Sequence, residues 1–261
     1  MKISILYFGD IVGEPGRDTI AEWLPKLRAE YSPDLVFANC ENATHGKGVN
    51  KAHYEELMKM GIDAMTSGDH IWQSNDIVPY LDRPEIMIVR PANYTNVPGK
   101  GYLDLTVKGK RLRLINLIGR VFTGANVESP FHVLDKVLKE HPVADINVVD
   151  FHAEATSEKR MLAEYADGRV GLVVGTHTHV PTADCQVLPK GTGFISDIGM
   201  TGPQDSSLGA DKEEVLKSFL TGLPWRYNVA SGQCELGAVF CEIDTDSQQA
   251  LRIEHIRRTA L

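Results

Sequence analysis

Five short apolar segments of this chain are each followed by carboxylate, amide or imidazole side chains, and this recurrence constrains the fold more than any other feature. The polar residues that follow the segments are, in chain order, Asp10, Glu41-Asn42, Asp69-His70, His152, and His177 with His179. Each apolar segment has the length of a buried strand. Loops at the carboxyl ends of parallel strands meet at one edge of a sheet. The pattern therefore predicts an α/β protein in which distant segments contribute to one polar site.

The first part of the chain alternates predicted strands and helices. The strands are Ile3–Phe8, Leu35–Cys40 and Ile62–Thr66, and amphipathic helices separate them. Pro15 lies at the start of the first helix, whereas Asn50 caps the second and Gly61 ends it. This alternation is typical of parallel strands joined by crossover helices.

The remainder of the chain adds antiparallel signals. Alternating residues on both sides of Lys108-Gly109 predict a hairpin, and Ser129-Pro130 and Asp211 are predicted helix starts. Further strands are predicted at Ile146–Phe151, Val170–Gly175, Gln186–Leu188, Phe194–Ile195 and Leu236–Ile243. We therefore expect two packed mixed sheets with helices outside, and a single doubly wound sheet is the weaker alternative.

Length and composition favour one domain without a membrane or nucleic-acid partner. The 261 residues contain no linker or repeat, so we expect a single domain over residues 1–261. Hydrophobic residues make up 43% of the chain, enough for a large core, and no apolar run approaches the length of a membrane span. The net charge of −8 disfavours binding to duplex nucleic acid, but a metal ion would hold a small anionic substrate.

Cysteine usage indicates the compartment. Cys40, Cys185, Cys234 and Cys241 form no C-x-x-C pair, and the N-terminal residues show no secretory signal. We therefore expect reduced thiols in a cytoplasmic protein.

The side chains that follow the strands offer only oxygen and nitrogen donors, which suit a catalytic metal better than a structural zinc ion. The seven candidate ligands are too many for one tetrahedral ion, but they suffice for two ions that share a bridging carboxylate. Such a pair clamps the attacking and leaving oxygens of a phosphoryl transfer. We predict two metal ions, iron or manganese first, with zinc or magnesium as alternatives.

At these positions the chain resembles the calcineurin-like metallophosphoesterases. The matching strings are Gly9-Asp10-x-x-Gly13, Glu41-Asn42-Ala43, Gly68-Asp69-His70, Phe151-His152-Ala153-Glu154 and Gly175-Thr176-His177-Thr178-His179-Val180. Nearly end to end, the chain is more closely similar to a bacterial YmdB-like subfamily that hydrolyses 2′,3′-cyclic nucleotides and related small phosphodiesters. The similarity extends to Arg90–Asn93, His152–Lys159, Thr182–Asp184 and Ser196–Gly202. The resemblance implies a four-layer α/β/β/α sandwich and a dinuclear-metal phosphodiesterase.

The same resemblance implies a role for each candidate residue. Asp10, Glu41, Asn42 and His179 would hold the first metal ion, with Glu41 as the bridge, and Asp69, His152 and His177 would complete the second. His70 would bind no metal and would act as general acid. Hydroxide formed from a water that bridges the ions would attack phosphorus in line, while His70 protonates the leaving alkoxide.

Asp69 departs from the usual pattern of the subfamily, which has asparagine in a Gly-Asn-His string. With Asp10 and Glu41, it places three negative charges against the four positive charges of two divalent ions. The site would carry a net charge of about +1 instead of +2. We expect tighter metal retention, or tolerance of one trivalent iron, and weaker polarisation of the phosphate.

Two other functions stay open on the residues alone. A phosphomonoesterase, such as a nucleotidase or protein phosphatase, would use the same ligands, because the surrounding loops select the substrate. A nucleotide-binding regulator with vestigial hydrolysis is the third hypothesis, and His70 argues against it, since a pure binder needs no general acid. The sequence leaves the substrate-binding residues and the oligomeric state unknown, although small proteins of this kind often assemble into homo-oligomers, for which symmetric contacts are the default.

Other polar residues receive structural interpretations. We expect the remaining histidines to be surface or satisfied polar residues: His45, His53, His132, His141 and His255. The Gly46-x-Gly48 string favours a flexible loop over a phosphate cradle. Asp197 either belongs to the site or holds the second nitrogen of a histidine.

Overall fold

The computed structural model describes residues 1–224 and 226–259. In chain order its elements are β1 (Lys2–Ile11), α1 (Gly13–Tyr31), β2 (Leu35–Asn39), α2 (Lys51–Met60), β3 (Ala64–Thr66), β4 (Tyr102–Val107), β5 (Lys110–Ile118), α3 (Pro130–Leu138), β6 (Ile146–His152), α4 (Thr156–Ala166), β7 (Leu172–Thr176), β8 (Gln186–Val187), β9 (Gly193–Ile195), β10 (Met200–Pro203), α5 (Lys212–Thr221), β11 (Cys234–Asp244) and β12 (Ala250–Thr259). Two 3-10 turns, Ile71–Gln73 and Val78–Tyr80, follow β3.

The first sheet has the strand order β12-β11-β10-β1-β2-β3. Strands β1, β2, β3 and β10 run parallel, and β11 is antiparallel to β1, β10 and β12. Strand β1 is buried on both faces, because its alternate side chains point to opposite sides of the sheet. Ile5 and Tyr7 face the second sheet, whereas Leu6 and Phe8 pack under the helices.

The second sheet has the strand order β4-β5-β6-β7-β9-β8. Strands β5, β6, β7 and β9 are parallel, and β4 and β8 are antiparallel edge strands. The β4–β5 hairpin turns at Lys108 and Gly109, which have φ values of 50° and 76°. Two successive positive φ values match the twist of the flanking strands, and the predicted hairpin is confirmed.

Three hydrophobic clusters separate four layers. One cluster joins α1 and α2 to the first sheet, the second lies between the two sheets, and the third joins α3 and α4 to the second sheet. Two mixed sheets flanked by helices are therefore confirmed, and the single doubly wound sheet is wrong. No helix in the described residues is long and apolar enough to cross a membrane.

Several local features differ from the sequence-based expectations. Helix α4 and strands β10 and β12 were not predicted, and β1 continues to Ile11 because β10 pairs with its last residues. The predicted helix caps at Asn50 and Asp211 accept backbone hydrogen bonds from the first turn. The Ser129 side chain makes no such bond, so α3 starts at its predicted place without a side-chain cap.

Candidate metal centre

The predicted site residues come from both sheets and meet at one edge of the sandwich. Asp10 lies near the end of β1, His152 is the last residue of β6, and the other candidates follow β2, β3 and β7. A contact between the sheets is direct, since the His177 backbone N–H donates to Asp10 Oδ2 at 3.1 Å. All eight residues assigned to the site, seven ligands and one acid, therefore belong to one neighbourhood: Asp10, Glu41, Asn42, Asp69, His70, His152, His177 and His179.

One group of four residues has the geometry of a cation site. Glu41, Asp69, His152 and His177 each offer a ligand atom, and these atoms all lie within 4.8 Å of one another. His152 Nε2 is at the centre of the group, 3.0 Å from Glu41 Oε1 and 3.0 Å from His177 Nδ1. Asp69 Oδ1 is 3.8 Å from the same nitrogen.

A second group lies beside the first on the β1 side. Asn42 Nδ2 is 3.0 Å from His179 Nε2, and Asp10 Oδ1 is 3.9 Å from that nitrogen. Asp10 Oδ1 is buried and has no hydrogen-bond partner within the described part of the chain. An unpaired buried carboxylate oxygen is costly, and a cation between these groups would satisfy it. The residues present therefore fit a metal ion.

Gly68 lets the strand-end loops approach closely. A Cβ atom at this position would lie 1.9 Å from Glu41 Oε2 and 2.4 Å from His152 Nε2. No side chain other than hydrogen fits there, because real Cβ contacts are much longer. Gly68 is therefore required for the close approach of its loop to Glu41 and His152.

Two of the imidazoles are oriented by acceptors on their far nitrogens. His179 Nδ1 is 2.8 Å from the Leu208 carbonyl oxygen, which only accepts, so the lone pair of the neutral ring is on Nε2. His152 Nδ1 is 2.9 Å from Thr176 Oγ1, and this hydroxyl donates to buried Asp150 at 2.7 Å. Such outer contacts fix which nitrogen is presented to a metal. The sequence analysis quoted Thr176 in a motif without assigning it a role, and it missed Asp150 and Leu208; Asp150 is two residues before His152 and therefore on the same face of β6.

The loop that carries His177 and His179 is strained and firmly held. Both histidines have positive φ, 95° and 64°, which is rare for residues other than glycine. Between them, Thr178 donates to Asp197 Oδ2 through its backbone N–H at 3.1 Å and its hydroxyl at 2.7 Å. Buried Lys159 donates to the same oxygen at 2.7 Å. Asp197 thus holds the threonine between the histidines, and the alternative that it holds a histidine nitrogen is wrong.

His70 borders both groups. Its Nδ1 is 3.1 Å from Asn42 Oδ1 and 3.3 Å from Glu41 Oε1, both acceptors. Nδ1 therefore carries a hydrogen, and Nε2 is the nitrogen available for proton exchange. Glu154, which the sequence analysis quoted in a motif but assigned no role, lies 3.3 Å from His177 Nε2 through its Oε2.

Burial and pairing shift the pKa values of the central groups. Burial alone would raise the pKa of Glu41, but His152 beside it lowers that pKa to about 2. Burial opposes the charged form of His152, yet Glu41 raises its pKa to about 9. Burial and the neighbouring His152 lower the pKa of His177 to about 4, and burial raises the pKa of Asp10 to about 6. Without metal, His152 is therefore protonated at neutral pH and forms an ion pair with Glu41.

Comparison with known proteins identifies the family. Residues 6–256 match the model of a family described as YmdB-like protein. The chain belongs to the YmdB-like family. A relative from Bacillus subtilis (strain 168), named 2′,3′-cyclic-nucleotide 2′-phosphodiesterase, is 46% identical over 97% of this chain and 96% of its own length. The resemblance stated from the motifs is confirmed.

Two solved structures of similar proteins have the same YmdB-like architecture. A hypothetical protein from Thermus thermophilus is 39% identical, with a TM-score of 0.92 over 98% of this chain and 99% of that chain. A crystal structure titled as a novel phosphatase from Mycoplasma pneumoniae is 36% identical, with a TM-score of 0.93 over 99% of this chain and 94% of that chain. The predicted fold class is confirmed, whereas the roles of individual site residues stay predictions.

Proposed function

We propose that this protein is a metal-dependent phosphodiesterase that hydrolyses 2′,3′-cyclic nucleotides or similar small phosphodiesters. The observation that carries the proposal is the convergence of carboxylates and imidazoles from five strand ends, in a YmdB-like chain, around a group whose ligand atoms lie within 4.8 Å. The name of the Bacillus subtilis relative supports the substrate class.

In this proposal the two groups of the site hold two ions. Asp10, Asn42 and His179 would hold the first ion, and Asp69, His152 and His177 would hold the second. Glu41 would contribute to both, since it contacts His152 and also His70, which lies beside Asn42. Oxygen and nitrogen donors favour iron or manganese, with zinc or magnesium as alternatives. The ions, when bound, supply positive charge that polarises a phosphoryl group and makes water acidic.

The residues of the chain then perform the positioning and the proton transfer. Asn42 and Glu41 orient the His70 ring through Nδ1, so that Nε2 donates a proton to the leaving oxygen of the substrate. Thr176 and the Leu208 carbonyl keep His152 and His179 in the orientation that presents Nε2. These contacts limit which nitrogen of each ring can face a bound ion.

We also propose a domain organisation, a class of partner and a cellular location for the enzyme. In this proposal residues 1–261 form one domain, and the partner is a small phosphodiester rather than duplex nucleic acid or a membrane. All four cysteines are free in the structure, which supports a cytoplasmic location. Assembly into a homo-oligomer stays a prediction.

A metal-reconstitution assay tests this function. The protein is stripped with chelator and reloaded with Mn²⁺, and its turnover of bis-p-nitrophenyl phosphate, p-nitrophenyl phosphate and 2′,3′-cyclic AMP is measured. We expect metal-dependent hydrolysis of both diesters and little of the monoester. A preference for the monoester would instead establish a phosphatase. Absence of turnover in metal-loaded protein would favour the nucleotide-binding regulator.

A further inference from the structure

A cavity of about 400 Å³ opens directly beside the candidate metal centre. One of its walls includes His179, a proposed ligand of the first ion. Two other walls continue from site residues along the chain: the 44–47 loop follows Glu41-Asn42, and Gln73 and Ser74 follow Asp69-His70. The organic substituent of a phosphate ester bound at the metal centre would therefore be within reach of this cavity.

The outer wall is a paired structure that also orients a metal ligand. Segments 207–211 and 228–230 are joined by backbone hydrogen bonds, with Ala230 N–H donating to Gly209 at 2.9 Å and Asp211 N–H donating to Asn228 at 2.9 Å. The same wall contains Leu208, whose carbonyl accepts from His179. The cavity and the metal centre thus share a structural element, and the wall is defined before any ligand binds.

The lining has the chemistry of a nucleoside site. The aromatic rings of His45 and Tyr227 line it together with aliphatic side chains, and Thr44, Gln73 and Asn228 add hydrogen-bonding groups. Aromatic faces stack on nucleobases, whereas amide and hydroxyl groups bind base edges and ribose hydroxyls. The volume lies in the range of small-ligand pockets.

A neighbouring depression is a poorer candidate. It also touches His179, but its volume is about 270 Å³ and no aromatic side chain except the histidine lines it within the described residues. Its polar groups include Glu235 and Arg257, which are already paired with each other at 2.6 Å. Of the two, the larger cavity alone has a tyrosine ring in its lining beside the metal centre.

We propose that this cavity binds the nucleoside part of the substrate, with Tyr227 and His45 as base-contacting residues; this inference rests on the proposed phosphodiesterase function. His45, which the sequence analysis placed among structural or surface histidines, would then select the substrate. The local sequence around His45 does not indicate this role, because the other wall of the cavity comes from the distant 227–229 segment.

The test compares two substrates that share a five-membered cyclic phosphate. One is 2′,3′-cyclic AMP, and the other is glycerol 1,2-cyclic phosphate, which lacks a nucleoside. We expect Tyr227→Ala to lower the ratio of their kcat/KM values about tenfold, the equivalent of about 1.4 kcal/mol of lost stacking. Tyr227→Phe keeps the ring and recovers most of the ratio. His45→Asn, which tolerates the φ of 51° at this position, also lowers the ratio.

Tyr165→Ala is the matched control, because Tyr165 has the same exposed fraction as Tyr227, 43%, and lies on α4 at the second sheet. Its ratio should equal that of the wild type. An equal loss on both substrates in the Tyr227 and His45 variants, or no loss, would overturn the assignment of the cavity while leaving the phosphodiesterase intact.

Calorimetric binding of adenosine separates the two proposals. The nucleoside carries no phosphate, so its binding does not require turnover. If the wild type hydrolyses neither cyclic phosphate but binds adenosine in a Tyr227-dependent manner, the proposed function fails and the cavity assignment stands. If adenosine does not bind, the cavity assignment fails whatever the activity.

Discussion

At the scale of single residues, the site depends on which nitrogen of each imidazole is exposed to a ligand. His152 and His179 are each held through Nδ1, by Thr176 and by the Leu208 carbonyl respectively. His70 is also held through Nδ1, by Asn42, and its Nε2 lies 3.9 Å from Asp69 Oδ2. The three imidazole rings thus differ in function because different neighbours hold them.

The proposed role of His70 as general acid can be tested by comparing substrates with different leaving groups. A general acid assists departure of an alkoxide, whereas p-nitrophenolate leaves without a proton. We expect His70→Ala to lower kcat for 2′,3′-cyclic AMP about a hundredfold or more, and to lower it far less for bis-p-nitrophenyl phosphate. Steady-state kinetics on both substrates measure this difference.

Metal content must be determined for the same samples. His132→Ala, at an exposed position on α3, is the control and should behave as wild type on both substrates. Equal losses on the two diesters, or loss of bound metal, would mean that His70 supports the ligands and is not the acid.

Asp69 tests how the net charge of the site governs metal retention. Its Oδ1 lies 3.8 Å from His152 Nε2, within the group of four ligand atoms. Asp69→Asn keeps the shape and removes one negative charge, so we expect about tenfold weaker retention of divalent metal and unchanged or faster turnover in excess metal. Competition with a fluorescent chelator measures the affinity. Glu55→Gln on α2, also a half-exposed carboxylate, is the control, and an Asp69→Asn affinity equal to the wild type would contradict the charge argument.

At the scale of elements, a buried ion pair connects α4 to the segment between β9 and β10, which in turn holds the loop after β7. Lys159 and Asp197 are almost fully buried, and their contact at 2.7 Å supports Thr178 between two residues of positive φ. Separating a buried pair leaves an uncompensated charge in the interior. The pair therefore couples the stability of a helix to the positions of His177 and His179.

Lys159→Met is expected to destabilise the metal-free protein by about 3 kcal/mol and to weaken metal binding. Urea unfolding in excess chelator measures the first effect, and calorimetric titration with Mn²⁺ measures the second. Lys212→Met, which removes the exposed partner of Asp205, should cost less than about 0.5 kcal/mol. A loss of stability with unchanged metal affinity would show that the pair supports the fold without positioning the histidines.

The sequence allowed prediction of the elements whose signal is local and missed those that depend on tertiary pairing. Buried strands such as β7 begin as continuous apolar runs, and the polar side chains that follow them are obvious. In contrast, β10 contains Gly202 and Pro203 and is a strand only because β1 and β11 lie on either side of it. Strand β12 is an edge strand rich in charged residues, and α4 was missed although Leu162 and Ala166 follow a helical spacing.

At the scale of the whole molecule, the site is a junction between two sheets, one of which contributes carboxylates and the other imidazoles. The first sheet supplies Asp10, Glu41 and Asp69, whereas the second supplies His152 and the histidines after β7. Strand ends were predictable one by one, but the contacts that join the sheets, such as His177 to Asp10, arise only when the inter-sheet core forms. When that core forms, the carboxylates of the first sheet come to lie against the imidazoles of the second sheet. Without metal, the proton on His152 supplies positive charge that a cation would otherwise supply.

Metal uptake should therefore release protons and strengthen with pH. In the metal-free protein the pKa of His152 is raised to about 9, and its stabilising contribution is present below its ordinary pKa and lost as pH rises through about 9. A metal ion takes the neutral ring, so binding at pH 7 must displace that proton, and the association constant should rise about tenfold per pH unit between pH 6.5 and 8. Burial raises the pKa of Asp10 to about 6, so a second proton should be released near pH 6.

Calorimetric titration of Mn²⁺ in two buffers of different ionisation enthalpy counts the protons that metal binding releases. A pH-independent affinity with no proton release would contradict the expectation that a protonated His152 becomes a metal ligand.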